Sequence, residues 1–256
     1  KLILSLINLL HGKMYKKIIL LTGSEGIIGK GVINFLSNKY FFICLDRKIY
    51  GKRYVKEKYQ KFTVNTISEK QVNKVINLIK KKYKKIDVLL NCAVHQNFFP
   101  IEKQTLKSFT KTLVNNIGSV FLTTKSFIPL LKKSKSPLII NLGSIYGIVS
   151  GDPKIYTDTK RNTSDVYAAS KAAIIQLTKY YAVHLSKYNI RVNCISPGGI
   201  KNNQGKNFIN NYSKKTPLNR MAEKEEIIKA IEILMDDECK YINGHNLVVD
   251  GGLTIW

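Results

Sequence analysis

The feature that most constrains this chain is a repeated switch between short apolar runs and longer stretches with apolar residues at helical spacing. Lys17 to Thr22 (KIILLT) reads as a strand that stops at Gly23, and Gly26 to Ser37 then sets Ile28, Val32, Ile33 and Leu36 on one helical face. Phe41 to Leu45 is a second strand ending at Asp46, and a third is expected near Phe62 to Val64. Glu69 to Tyr83 carries Val72, Val75, Ile76 and Ile79 along one helical face. A fourth strand, Ile86 to Leu90, leads into a long helix, Thr105 to Leu131, expected to bend near Pro129. Strands at 138–142, 190–195 and 246–249 then alternate with helices at 165–188 and 223–235. Strands that are apolar throughout fit burial on both faces, and their alternation with helices predicts a parallel sheet. The expected fold is α/β: a doubly wound seven-stranded parallel sheet with helices on both faces, in a single domain. At 256 residues the chain is long enough to bury such a core.

Residues 1–13 stand outside this pattern. Lys1 to Leu10 is apolar but too short to span a bilayer, and His11-Gly12-Lys13 offers no small-residue cleavage site. Met14 is a candidate natural start, so 1–13 is read as an extension of unknown role and 14–256 as the folded domain. No membrane partner is expected.

Net charge bears on partners. At +25 the chain is strongly basic, yet only five of its 42 basic residues are arginine: Arg47, Arg53, Arg161, Arg191 and Arg220. Nucleic-acid readers concentrate arginine at bases and phosphates, so this reads as a solvated lysine surface with no specific nucleic-acid partner. A polyanion-binding surface is the alternative. Cys44, Cys92, Cys194 and Cys239 show no metal-ligand spacing, which points to a reducing, cytoplasmic setting without disulfides or zinc.

Thr22-Gly23-Ser24-Glu25-Gly26-Ile27-Ile28-Gly29 lies between the first strand and the first helix. Glycines there allow a tight turn and close backbone approach, and a helix N-terminus can hold pyrophosphate. Together with the doubly wound sheet this makes the expected fold Rossmann-type. Asp46 ends the second strand, where an acid accepts hydrogen bonds from adenosine ribose hydroxyls and repels a 2′-phosphate. NAD(H) is therefore favoured, while Arg47 beside the acid keeps NADP(H) open. Tyr167 and Lys171, at i and i+4 on a helix, share one face. A lysine cation close to a tyrosine favours the phenolate and lowers its pKa.

These segments appear in the order found in the short-chain dehydrogenase/reductase family, which the chain resembles from about Tyr15 to Leu253. The resemblance rests on the glycine segment, Asp46, Asn91-Cys92-Ala93, Asn115-Asn116-Ile117-Gly118 and Asn141-Leu142-Gly143-Ser144. Tyr167 with Lys171, Asn193 to Gly199, Asn243-Gly244-His245 and Val249 to Gly252 complete it. It implies an alcohol–carbonyl oxidoreductase in which Tyr167 is the general acid/base and Lys171 binds the nicotinamide ribose and tunes Tyr167. Ser144 would hydrogen-bond the reacting oxygen, and Asn115 would hold a water for proton relay. Gly23, Ser24, Gly26, Ile28, Gly29, Asp46, Arg47, Asn65, Asn91 and Ala93 would bind the cofactor, with Pro197, Gly198 and Ile200 on its nicotinamide side. The chain departs from the family pattern at Val94, where a glycine is usual, and at Asn65, where an acid is usual. A homo-oligomer, tetramer or dimer, is implied through the helices at 165–188 and 223–235.

Ser144 and Tyr167 are 23 positions apart, further than is usual in the family, and the added length falls in Gly151 to Ser164. That polar loop should overhang a small-molecule substrate site formed at the carboxyl ends of the strands. His95, Ser144, Tyr146, Tyr156 and Lys160 are its candidate substrate contacts. The insertion is similar to that of bacterial oxidoreductases of flagellin modification and legionaminic acid synthesis, which implies a sugar-related substrate. Two alternatives remain: an NADPH-dependent 3-oxoacyl-acyl-carrier-protein reductase, and a non-catalytic binding protein on the same scaffold.

Overall fold

The computed structural model describes residues 15–49, 58–157 and 162–256, so the 1–13 extension and Lys160 lie outside the described residues. Seven strands form one sheet: β1 (Ile18–Thr22), β2 (Phe41–Asp46), β3 (Tyr59–Thr63), β4 (Val88–Asn91), β5 (Leu138–Leu142), β6 (Arg191–Pro197) and β7 (Asn246–Val249). Their order is β3-β2-β1-β4-β5-β6-β7, with every neighbouring pair parallel. The helices are α1 (Ile27–Leu36), α2 (Glu69–Tyr83), α3 (Leu106–Leu113), α4 (Ser119–Leu131), α5 (Asp165–Leu185), α6 (Lys206–Lys215) and α7 (Lys224–Met235).

The period of two along each strand divides the core into two layers. Ile19 and Leu21 of β1, Phe42 and Cys44 of β2, and Val88 and Leu90 of β4 face α1 and α7, meeting Val32, Leu36, Ile227 and Ile231. Leu20, Ile43, Leu45 and Leu89 point the other way, toward Val72 and Ile79 of α2, Phe127 and Leu130 of α4, and Leu185 of α5. Leu20 and Phe127 are fully buried, and truncating either to alanine is expected to cost about 2–5 kcal/mol.

Register sets the upper edge of the sheet. Thr22 lies beside Leu45 on one side and Asn91 on the other, and Asn91 lies beside Asn141. The chain leaves β1 toward β2 on one side and returns to β4 on the other. The crevice at that switch point opens above Gly23.

The long helix expected from 105 to 131 is interrupted, and not at Pro129, which sits inside α4. The break is a π-helical turn over Val114–Gly118, where Asn115 Nδ2 donates to the Lys111 carbonyl (2.7 Å) and the Asn116 amide turns inward. The third strand begins earlier than expected, at Tyr59. Helix α6 was not anticipated: its sequence, KNFINNYSKK, is mostly polar, and only Phe208, Ile209 and Tyr212 form its apolar face.

Candidate active site

The turn after β1 shows why glycine is needed there. Gly23 has φ +67°, and a Cβ on it would lie 2.7 Å from the Ala93 backbone. No side chain caps α1, so the protein's own side chains leave its first-turn N–H groups unclaimed. Beside it, Ser24 is fully buried with a hydroxyl that has no partner. An open helix N-terminus and a close-approach glycine fit the pyrophosphate of a dinucleotide.

A cavity of about 580 Å³ adjoins this turn, lined by Gly23, Glu25, Gly26, Asp46, Arg47, Val64, Thr66, Ala93 and Asn115, among others. Asp46 Oδ2 accepts from the Glu25 amide (2.9 Å) and Oδ1 from the Lys48 amide (3.4 Å). The carboxylate is thus held in place with lone pairs to spare for ribose hydroxyls. Arg47 Nη1 donates to Asn115 Oδ1 (3.3 Å), which engages the arginine beside the acid. Glu25 adds a second carboxylate to this wall, nearly buried and paired with Lys61 at 2.6 Å.

A second cavity of about 540 Å³ shares Gly23, Gly26, Cys92 and Val94 with the first, so the two make one groove across the glycine turn. Its lining includes Ile28, Gly29, Ser144, Tyr146, Tyr156, Tyr167, Lys171, Pro197, Gly198 and Ile200. Strand and helix ends bring these together. Ser144 follows β5, Pro197 ends β6, and Ser164 caps α5 by accepting from the Tyr167 amide (3.4 Å), which starts the helix one turn before Lys171.

Lys171 is 2% exposed, and its ammonium donates to the Leu142 carbonyl at 2.6 Å. Burial lowers its pKa to about 8, opposed by the neighbouring Cys194 and Cys92 thiols. Its Nζ lies 5.6 Å from the centre of the Tyr167 ring. Tyr167 differs from the sequence-based expectation of a lowered pKa. Burial raises it, and a hydrogen bond from Ser144 opposes the rise. The lysine, bonded to Leu142, does not overcome the loss of water around the phenol. The resting phenol is held protonated, as a proton donor requires.

Several expected contacts fall elsewhere. Asn115 faces Arg47 and the Asp46 cavity rather than Tyr167, because the π turn sends neighbouring side chains in different directions. Asn116 is the inward residue: fully buried, it accepts from the His95 amide (2.7 Å) and donates to the His95 carbonyl (3.2 Å) and Ser170 Oγ (2.9 Å). The buried run Thr112, Asn116, Val120 and Thr123 on one helical face was the available sequence signal for it.

Asn65 spends its side chain on the Ile67 amide (3.4 Å), and Val64 and Thr66 line the cavity instead. Asn91 is buried under the groove, donating to Asn141 Oδ1 (2.9 Å) and accepting from Thr123 (2.9 Å), so it supports the strand ends rather than lining either cavity. Ser24 lies beneath the glycine turn and lines neither cavity. His95 lines neither cavity, and its pKa is lowered by burial and by Lys111 and Arg47. Glu25, Gly199, Phe208 and Tyr212 line the groove without having been anticipated.

Residues 51–254 match the family profile described as enoyl-(acyl carrier protein) reductase. The chain is 30% identical to D-arabinitol 2-dehydrogenase [ribulose-forming] of Candida albicans, over 94% of this chain and 93% of that protein. It is also 30% identical to post-translational flagellin modification protein A of Campylobacter coli, over 92% and 97%. Among solved structures, a short-chain dehydrogenase from Leptospira borgpetersenii with bound NAD+ superposes with a TM-score of 0.87 at 36% identity, covering 96% of each chain.

Proposed function

The chain belongs to the short-chain dehydrogenase/reductase family of oxidoreductases acting on alcohols and carbonyls, and on that premise we propose that it is an NAD(H)-dependent enzyme for a sugar-related substrate. The observation that carries this reading is the meeting of Ser144, Tyr167 and Lys171 in one cavity continuous with the Asp46 cavity. A nicotinamide cofactor, when bound, would supply or accept the hydride. In reduction Tyr167 gives its phenolic proton to the carbonyl oxygen, which Ser144 also holds by a hydrogen bond. In oxidation the phenolate takes that proton from the alcohol. Lys171 keeps two ammonium protons beyond the one on Leu142, enough to bind ribose hydroxyls beside Tyr167.

NAD(H) over NADP(H) is supported by Asp46, a carboxylate in the cavity wall at the end of β2, and by the engagement of Arg47 with Asn115. The Leptospira borgpetersenii structure has NAD+ bound, which agrees. In place of Asn115, Asn116 is assigned the inward support of the proton path. Residues 14–256 would form the catalytic domain, working in the cytoplasm. Tyr180 and Val183 on α5 and Ile233 on α7 are exposed apolar residues suited to contact between copies in a dimer or tetramer. The flagellin modification relative supports a place in bacterial surface-glycan synthesis.

Titrating NADH and NADPH by fluorescence at matched salt tests the cofactor assignment. Preference for NADH, followed by turnover of sugar-like alcohols or ketones, is expected. Preference for NADPH with turnover of a 3-oxoacyl-acyl-carrier thioester would replace this reading with the 3-oxoacyl-acyl-carrier-protein reductase alternative.

A further inference from the structure

A lysine occupies a sheet position whose neighbours are apolar. On β3 the period of two places Tyr59 with the core layer under α1 and Phe62 with the opposite layer. Lys61 shares the face of Tyr59, in register beside Cys44, which is fully buried in the α1 layer. Its side chain is only 16% exposed, with Nζ 2.6 Å from Glu25 Oε1 and 5.5 Å from the centre of the Tyr59 ring. An ammonium so placed needs a partner of opposite charge, and Glu25 is that partner.

Glu25 stands between two contacts. Its carboxylate, 6% exposed, ends on Lys61, while its backbone amide donates to Asp46 Oδ2 at 2.9 Å. Gly23 and Gly26 on either side give this turn backbone freedom, and the Gly26 amide bonds the Gly23 carbonyl across it (3.1 Å). The direction of the Glu25 amide between them is therefore set by what anchors its side chain. A second lysine, Lys30, comes to 3.7 Å of Glu25 Oε2, beyond hydrogen-bond reach and mostly exposed, so it anchors little. Without Lys61 a nearly buried carboxylate would lack its close partner, which costs more than removing both charges. The open volume beside Glu25 is the Asp46 cavity. A carboxylate turning toward water there carries its amide with it, and Asp46 loses the bond that aims it.

We propose that Lys61, which lines neither cavity, is a positioning residue for the adenosine ribose of the cofactor: by anchoring Glu25 it aims the Asp46 carboxylate. This inference rests on the reading of the Asp46 cavity above and adds what holds that carboxylate in place.

The test measures affinity for NADH and for the NADH analogue lacking the adenosine 2′-hydroxyl, by fluorescence at matched salt, with melting temperatures alongside. The unaltered protein should prefer NADH about tenfold, the worth of one hydrogen bond to a charged group. Lys61→Met should cut that preference to about twofold or less, while Lys61→Arg keeps it. Lys61→Gln, which retains a neutral donor, should fall between and carries the test if Lys61→Met does not fold. Adding Glu25→Gln to Lys61→Met should recover most of the preference, because no buried charge is then left unpaired. Lys30→Met should leave the preference as it is. An unchanged preference in Lys61→Met, or in Lys61→Gln where that variant carries the test, overturns the inference. So does equal weakening of both ligands with a lower melting temperature, which marks an ion pair that only supports the fold. A double variant no better than Lys61→Met overturns it too. Absence of any preference in the unaltered protein, or failure to bind either compound, overturns instead the reading of Asp46 beneath it.

Discussion

The two halves of the groove are made in different ways. The half around Asp46 centres on chain-local pieces, a strand end, a glycine turn and the first turn of a helix within Thr22–Gly29, with Asp46 one strand away and Val64, Thr66, Ala93 and Asn115 completing its wall. The half around Tyr156 comes from pieces distant in sequence: residues 151–157 and 162–164, the 96–99 stretch and α6, joined by Asp152–Lys215, Asn211–Thr157 and Asn162–Phe98. A site built from local pieces is set by the fold itself. One built from distant side chains can change its ligand while the sheet stays the same. The first half should therefore govern cofactor choice and the second substrate choice, with Tyr167 between them.

The sharpest way to break that division is at the boundary. Tyr167→Phe removes one proton donor and little packing, so turnover should fall by about 10²–10⁴-fold while NADH binds within a few-fold. Substantial remaining turnover would show that the proton comes from elsewhere. A smaller effect is expected at the π turn. Asn116→Ala unfastens His95 from Ser170, the residue next to Lys171, and should lower kcat about tenfold or more, with a stability loss of about 1–3 kcal/mol. Asn115→Ala should change kcat only a few-fold, since its amide meets Arg47 and Lys111. The opposite ranking would return the relay to Asn115.

Smaller again, and confined to the cofactor half, is Asp46→Ala. It should shift the NADH-to-NADPH affinity ratio toward NADPH by about tenfold, while leaving the ratio of rates between alternative substrates unchanged. A changed substrate ratio would mean that the halves are coupled and that the division above fails.

How well each half could be read from the sequence follows the same line. Periodicity located all seven strands and both core layers, because the apolar pattern and the local turn chemistry agree there. The placement of Asp46, Gly23, Tyr167 and Lys171 along one groove was legible for the same reason: each position depends on neighbours only a few residues away or on a strand end. Asn115 against Asn116 was read wrongly, since the motif places two asparagines side by side and only the spacing of Thr112, Asn116, Val120 and Thr123 along one face, bent by the π turn, marks the inward one. Glu25 was hidden because its partner, Lys61, lies on β3, where strand pairing alone brings the two together. Helix α6 was missed because its mostly polar sequence carries only a short apolar face, and its place comes from the segment it fastens.

The smallest expected effect lies at Lys171, where stability and activity pull apart. Its pKa falls from 10.5 to about 8 in the folded chain, so between those values the unfolded chain holds a proton that the folded chain has released. Stability contributed at this position therefore rises with pH through that window, and below about 8 the full penalty of the buried ammonium is present. Lys171→Met removes that penalty. Below pH 8 it should stabilise the cofactor-free protein, by on the order of 1 kcal/mol once the lost bond to Leu142 is allowed for, and the gain should shrink as pH rises toward 10. In the unaltered enzyme, carbonyl reduction should weaken as pH rises through about 8, when Lys171 loses the charge that holds ribose beside Tyr167. Melting temperatures from pH 6 to 10, with reduction rates over the same range, check both. A variant that is destabilised at every pH would mean that the ammonium's bond to Leu142 outweighs its burial. The cost of the charge would then belong to both halves of the groove rather than to the boundary between them.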